Sequence, residues 1–248
     1  MLAVIGGSGF AQLPNLAVSR RQIVRTPFGE PSGALTFGTI GGREVVFLAR
    51  HGYGHTIRPD QINYRANIWA LHAQGVINVV ALAAVGGIRS DFTPGELAAP
   101  DQIIDYTHGR AATFCTATER GVDHIDFTHP YCQALRAACL DAAARAGEKM
   151  IDGGVYAATQ GPRLETAAEI NRLERDGADM VGITGMPEAA LARELGLCYA
   201  AIAVVVNCAA GRGDSTDGIA TNAIAAVLQR AMGRVQLVLE RLVTADGG

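Results

Sequence analysis

The stretch 76–85, VINVVALAAV, ends on the pair Gly86-Gly87 and limits the possible folds more than any other part of the chain. A strand wetted on one face alternates apolar and polar residues. An apolar run of this length that stops at glycines fits a strand buried on both faces, as in a parallel sheet covered by helices. Other short apolar runs suggest strands at 2–5, 35–40, 44–49, 103–104, 155–159, 180–184 and 199–207. Gly41-Gly42, between two of them, reads as a hairpin or tight turn. Helical spacing is expected at 61–74, where apolar residues recur at 62, 64, 68, 69 and 71, and at 130–146, 165–176, 187–195 and 220–242. This alternation predicts an α/β fold, with helices on both faces of a mixed, largely parallel central β-sheet. No repeat, low-complexity stretch or linker divides the chain, so residues 1–248 read as a single domain. In such sheets ligands sit beyond the carboxyl ends of strands, which directs attention to the polar residues found there.

Composition narrows the partners. Hydrophobic residues make up 49% and charged residues 18%, values of a well-buried globular chain rather than a disordered one. A net charge of −3 offers no basic patch for nucleic acid. No run reaches the length of a membrane span, and Met1 leads directly into LAVIGGSG without the charged start and cleavage site of an export signal. Five cysteines, odd in number and without a C-x-x-C pair, point to reduced thiols in a cytoplasmic protein.

The chemistry concentrates at 159–196. Glu165 follows a Gly-Pro turn, and Thr184 ends a short apolar strand just before a helix whose first position is Pro187. Helix N-termini carry unpaired N–H groups and partial positive charge, so this junction is a natural seat for an anion. Gly6-Gly7-Ser8-Gly9 follows the first strand and reads either as a plain turn or as an anion loop. Gln12 stands where a dinucleotide fingerprint needs its third glycine, which argues against that cofactor. Arg50-His51 closes VVFLARH. An arginine there is either a surface charge or a guanidinium fork for phosphate oxygens.

The order GPR-L-E-T, then A-D-x-V-G-x-T-x-x-P-E, resembles the signature of the trimeric purine nucleoside phosphorylase and methylthioadenosine phosphorylase family. The stretch ARHGYGHTIRPDQINYRANIWAL is similar to the methylthioadenosine branch. The resemblance covers about residues 1–240, is most specific at 159–196 and is loosest beyond 208. It implies the nucleoside phosphorylase fold, inorganic phosphate as co-substrate, no metal or organic cofactor, and a homotrimer acting on a small nucleoside. Phosphate would be held by Ser8, Arg50, His51, Thr184 and the backbone of Ala84, with His55 nearby. Two departures stand out. Ala83 occupies a position where the family commonly has Asn or Thr, and Ile183 replaces the methionine that packs under the ribose.

The same resemblance assigns the base to Glu165 and Asn207. Glu165 matches the glutamate that accepts the N1 proton of a 6-oxopurine, and Asn207 the asparagine facing O6 and N7. The methylthioadenosine branch has aspartate at the Asn207 position. Hydrogen bonding supports the split: adenine N1 is a lone pair that a carboxylate cannot satisfy, whereas O6 is an acceptor suited to an amide NH₂. Leaving a buried polar group unpaired costs about 1–3 kcal/mol, so two mismatches would disfavour adenine roughly a hundredfold or more. Taken singly, Glu165 could cap its own helix and Asn207 could be a turn residue.

The sugar end matches the methylthio branch. His124 corresponds to a histidine contributed by the neighbouring subunit near the 5′ substituent. Ala220, with Ala223 and Ile224, stands where ordinary purine nucleoside phosphorylases hold the 5′-hydroxyl with histidine. The combination predicts phosphorolysis of S-methyl-5′-thioinosine, with Asn207 and Glu165 catalytic at the base. The alternatives are a phosphorylase of inosine or guanosine, one of methylthioadenosine, a hydrolase, and a catalytically silent nucleoside-binding protein.

Overall fold

The computed structural model describes residues 1–115 and 124–245. Its strands are β1 (Leu2–Gly6), β2 (Ala17–Gln22), β3 (Leu35–Ile40), β4 (Arg43–Ala49), β5 (Asn78–Gly87), β6 (Leu97–Ala99), β7 (Gln102–Asp105), β8 (Met150–Asp152), β9 (Val155–Ala158), β10 (Met180–Gly182) and β11 (Cys198–Cys208). The helices are α1 (Tyr64–Ala73), α2 (Gln133–Arg145), α3 (Ala167–Arg175), α4 (Gly185–Glu194) and α5 (Thr221–Thr244). All these strands join one mixed sheet along the path β2-β3-β4-β1-β5-β10-β9-β7, with β11, β6 and β8 branching from β5. Parallel pairs dominate its centre: β1 lies parallel to both β4 and β5, and β5 is parallel to β11.

The apolar run at 76–85 behaves as its composition demands. Val79, Ala81, Ala83 and Val85 enter one core cluster, with Ile68 and Leu71 of α1 and Ala189 and Leu191 of α4. The alternate residues Val80 and Leu82 enter the opposite cluster, with Leu135 and Ala142 of α2 and Val235 and Leu239 of α5. Period-two alternation therefore persists, but both faces are apolar because each carries a helical layer. A smaller cluster seats Ile170 and Leu173 of α3 against Ala157 and Val181.

Local signals hold at the ends of elements. Gly41 and Gly42 both have positive φ (56° and 79°) and join Ile40 to Arg43 in a two-residue hairpin, a geometry only glycine-like residues adopt readily. Asn63 caps α1 by accepting from the Ala66 N–H. Thr166 and Glu169 form a reciprocal capping box on α3.

Three strands escape the apolar pattern. β2 is an exposed edge strand of sequence AVSRRQ, and β6 and β8 span three residues each, too short to show a period. The expectation of uniformly reduced thiols is also overturned. Cys132, the N-cap of α2, and Cys198, the first residue of β11, form a disulfide across 66 residues of sequence. Parity and local spacing cannot detect such a pair, because the fold alone makes the two residues neighbours. Cys115, Cys139 and Cys208 remain free thiols. Among the described residues, no helix is long and apolar enough to cross a membrane.

Candidate active site

The cleft opens where the sheet changes direction. β10 runs antiparallel to β5, with Val181 opposite Gly86 and Met180 opposite Gly87. The chain leaving β10 at Ile183 and Thr184 therefore comes back beside Ala83 and Ala84, midway along β5. Beyond the carboxyl ends of β1 and β4 lie Ser8 and the pair Arg50-His51. Gly7, Ser8, Arg50, His51, Ala83, Ala84, Ile183 and Thr184 line one cavity of about 70 Å³. A second cavity of about 200 Å³ shares Ser8, Ala84 and Ile183 with the first, and adds Glu165, Asn207, Ile224 and Leu228. The small polar compartment and the larger apolar one are thus contiguous.

Arg50 dominates the small compartment. Its side chain is 1% exposed, and Nε and Nη2 each donate to Glu188 at 2.7 Å, forming a two-point fork. Nη1 donates to the Leu82 carbonyl at 3.0 Å. Burial alone would pull the Arg50 pKa down, but the charge and hydrogen bonds of Glu188 outweigh it and hold the pKa above its usual value. Gly7 is required beside it: a Cβ there would lie 2.6 Å from the Leu82 carbonyl oxygen and 2.9 Å from Arg50 Nη1. One glycine of the GGSG turn therefore makes room for the guanidinium.

His51 stands next to Arg50 with its Nδ1 2.9 Å from the Ile57 carbonyl. A carbonyl only accepts, so Nδ1 carries the proton. Burial, followed by the positive charge of Arg50 and the proximity of His55, lowers the His51 pKa to about 4 despite that hydrogen bond. The ring is neutral at pH 7 and its Nε2 is an acceptor. The Ser8 hydroxyl lies 3.4 Å from His55 Nε2, and the His51 and His55 rings are 4.5 Å apart.

Thr184 is buried at the N-cap of α4 and makes no side-chain capping bond, so its hydroxyl is not committed to the helix. Met186 is extended (φ −118°, ψ 143°), and the regular helix resumes at Pro187, as expected. Tyr156 sits beneath this junction and accepts from the Thr184 N–H at 3.4 Å. A Cβ on Gly182 would fall 2.1 Å from its hydroxyl, so glycine ends β10 by necessity. Arg110 braces the same junction from the other side, donating to the carbonyls of Ile183, Met186 and Gln160 at 2.8, 2.6 and 2.7 Å.

At the wider end Glu165 does not cap α3, since Thr166 does. Its Oε1 accepts from the Thr159 hydroxyl at 2.6 Å, which leaves Oε2 for another donor. Asn207 is not in a turn either. It follows a bulge in β11, where the pairing with β5 shifts between Val205 and Asn207, and a bulge re-aims the side chain after it. One of its amide protons goes to the Cys208 carbonyl at 2.6 Å.

Three of the expected lining residues, Ala220, Ala223 and His124, are exposed and fall outside the cavity wall. Ala220 is exposed at the N-cap of α5, and Ile219 lines the cavity instead. In extended backbone successive side chains point to opposite sides, so an inward Ile219 turns Ala220 outward. His124 is exposed and does not line this chain's own cleft. Residues 121–123, the start of the segment whose likeness marked His124, lie outside the described residues. Glu188, Tyr156 and Arg110 were not anticipated. Glu188 was visible only as a letter in T-x-x-P-E, and nothing in the sequence around Arg110 marks it.

Residues 1–244 match the profile of the Phosphorylase superfamily. The chain belongs to that superfamily. It is 51% identical over 244 residues to a probable S-methyl-5′-thioinosine phosphorylase of Pseudomonas syringae pv. tomato, covering 98% of each chain. It is also 47% identical over 215 residues to the 6-oxopurine nucleoside phosphorylase of Pyrococcus furiosus, covering 85% of this chain and 80% of that one. Among solved structures, methylthioadenosine phosphorylase from Schistosoma mansoni in complex with adenine superposes with a TM-score of 0.94 at 31% identity. That match covers 99% of this chain and 91% of that one. The α/β architecture with a mixed, largely parallel sheet is therefore that of the nucleoside phosphorylases, as the family resemblance implied.

Proposed function

We propose that this chain catalyses phosphorolysis of a purine nucleoside, and that its substrate is S-methyl-5′-thioinosine. One observation carries the reading. A small, donor-rich compartment around Arg50 is continuous with a larger cavity in which Glu165 and Asn207 share the wall with Ile219, Ile224 and Leu228. Phosphate in the first compartment and nucleoside in the second bring the nucleophile to the sugar carbon between them.

Phosphate oxygen attacks C1′ as the glycosidic bond breaks. The bond's electron pair leaves with the purine, which takes up a proton and departs as hypoxanthine. The other product is 5-methylthio-α-D-ribose 1-phosphate. Arg50 and the Thr184 hydroxyl donate to the anion, the Ser8 hydroxyl and the Ala84 backbone line it, and His51 Nε2 accepts from a phosphate O–H. Positioning and charge stabilisation supply most of the rate. The free Oε2 of Glu165 accepts from N1–H, and the second amide proton of Asn207 meets the charge developing on O6 and N7.

The preference for a 6-oxopurine rests on Glu165 and Asn207, and it agrees with the two relatives named above. The 5′-methylthio preference rests on apolar Ile219, Ile224 and Leu228, which hold a thioether by burial at about 0.8 kcal/mol per methylene-sized group. The working unit in this reading is a homotrimer, in which the exposed His124 would serve a neighbour's 5′ pocket.

The test is phosphate-dependent base release from methylthioinosine, methylthioadenosine and inosine in parallel. Preference for methylthioinosine is expected. Faster turnover of methylthioadenosine would overturn the base assignment, and equal turnover of inosine would overturn the 5′ assignment. Turnover without phosphate would point to a hydrolase.

A further inference from the structure

Glu188 lies in the first turn of α4, is fully buried, and lines neither compartment of the cleft. A carboxylate with 0% exposure needs partners in place of water, and three groups supply them. Arg50 donates twice at 2.7 Å, the Tyr199 hydroxyl donates to Oε1 at 2.9 Å, and the N-terminal end of α4 contributes partial positive charge. Tyr199 is itself held in place. Its ring stacks on Tyr131 with centroids 6.0 Å apart, and its carbonyl accepts from the Cys132 N–H at 2.7 Å.

The consequence for Arg50 follows from counting donors. A guanidinium has five N–H groups. Nε uses its single proton and Nη2 one of two on Glu188, while Nη1 gives one of two to Leu82. One N–H remains on each terminal nitrogen, and Arg50 is part of the wall of the small compartment. Resting on the phosphate role proposed above, we infer that Glu188 is a positioning residue. By gripping the Nε edge of Arg50, it fixes the rotation of the guanidinium so that the two remaining donors are presented together to the anion. Tyr199 supports this by holding the carboxylate. Because Glu188 also neutralises Arg50, the compartment recognises its anion through directed N–H groups more than through net charge. Lysine at position 50 could not serve, having no second edge to hold.

Three variants test this, with binding of inorganic phosphate measured by calorimetry alongside steady-state kinetics. Glu188→Gln keeps the shape but turns one acceptor oxygen into a donor facing Arg50. It is expected to raise the Kd and KM for phosphate roughly 10- to 100-fold, while the nucleoside KM moves less than about twofold. Tyr199→Phe keeps the ring stack and removes one hydrogen bond, so a smaller rise of about 3- to 10-fold, again confined to phosphate, is expected. Arg50→Lys gives the reference loss, and Glu188→Gln added to it should cause little further change. A residue that merely supports folding would lower Tm and shift both KM values together, and that result would overturn the inference. Unchanged phosphate affinity in Glu188→Gln and Tyr199→Phe, with Arg50→Lys impaired, would overturn it while leaving the phosphate site intact. If Glu188→Gln fails to fold, Tyr199→Phe decides. A wild-type protein that binds no phosphate would overturn both the site and this inference.

Discussion

At the narrow end of the cleft, Arg50 and Glu188 are 1% and 0% exposed and bonded to each other and to Leu82 and Tyr199. At the wide end, Glu165 and Asn207 are half-buried, each with one short side-chain bond to the protein, and Ile219 and Ile224 are half-buried too. One end has its geometry over-determined by packing before any ligand arrives. The other is set by a few side chains on a loop, a bulge and a helix start. Rigid placement suits a small anion that must be aimed at a reacting carbon. A looser, apolar wall suits a substituent recognised by burial, where a neighbouring residue can change the preference cheaply. The expected consequence is that substitutions at the first end cost stability and turnover, whereas substitutions at the second mostly change which nucleoside is used.

The harshest way to break this contrast is Arg50→Ala. It removes the anion donors and leaves Glu188 charged and buried, so unfolding free energy should fall by about 3–5 kcal/mol. Phosphate-dependent turnover should drop roughly 10²- to 10³-fold. Denaturant unfolding and kinetics would check both. The pair Arg50→Met with Glu188→Gln should recover most of the stability and none of the activity.

Replacing both Cys132 and Cys198 by serine removes a cross-link over 66 residues behind the same end. The loss should reach about 4 kcal/mol in the chain-entropy account. The same shift on adding dithiothreitol to wild type, and none in the variant, would assign it to the disulfide.

His51 contributes a pH dependence of definite sign. Its folded pKa is about 4 against the ordinary 6.5 of a solvent-exposed histidine, so between those limits the unfolded chain binds the extra proton. Stability should fall as pH drops from 6.5 to 4, by up to about 3 kcal/mol. Denaturation at several pH values should give a shallower slope in His51→Gln than in wild type, and equal slopes would refute the assignment.

The mildest test falls at the other end. Asn207→Asp gives up the half-buried bond to the Cys208 carbonyl, so Tm should fall only slightly, and the ratio of methylthioadenosine to methylthioinosine turnover should move roughly a hundredfold toward adenine. A large loss of stability there instead would mean that the two ends are not built differently.

Much of the fold was legible from local chemistry. Apolar period and glycine stops located the central strands, and Gly41-Gly42 marked the turn between two of them. The helix start at Thr184 and Pro187 was legible for the same reason, since a helix start is a local event. Ala220 was misplaced because a one-residue error of phase in extended backbone turns a side chain to the opposite side. β2 was missed because an exposed edge strand has no buried face to leave a pattern.

Sequence alone determined the fold class and the family, and it singled out Arg50, Thr184, Glu165 and Asn207, which the fold brings to one cleft. Only the tertiary structure decided that β10 returns antiparallel to β5, that a bulge at Val206 aims Asn207, and that Cys132 meets Cys198. It also decided that Glu188, 138 residues from Arg50, is the group that holds it. The physical reason is common to all four. Helix and strand signals come from interactions between near neighbours along the chain, whereas the burial of a charge and the direction of a side chain depend on what distant segments bring beside it.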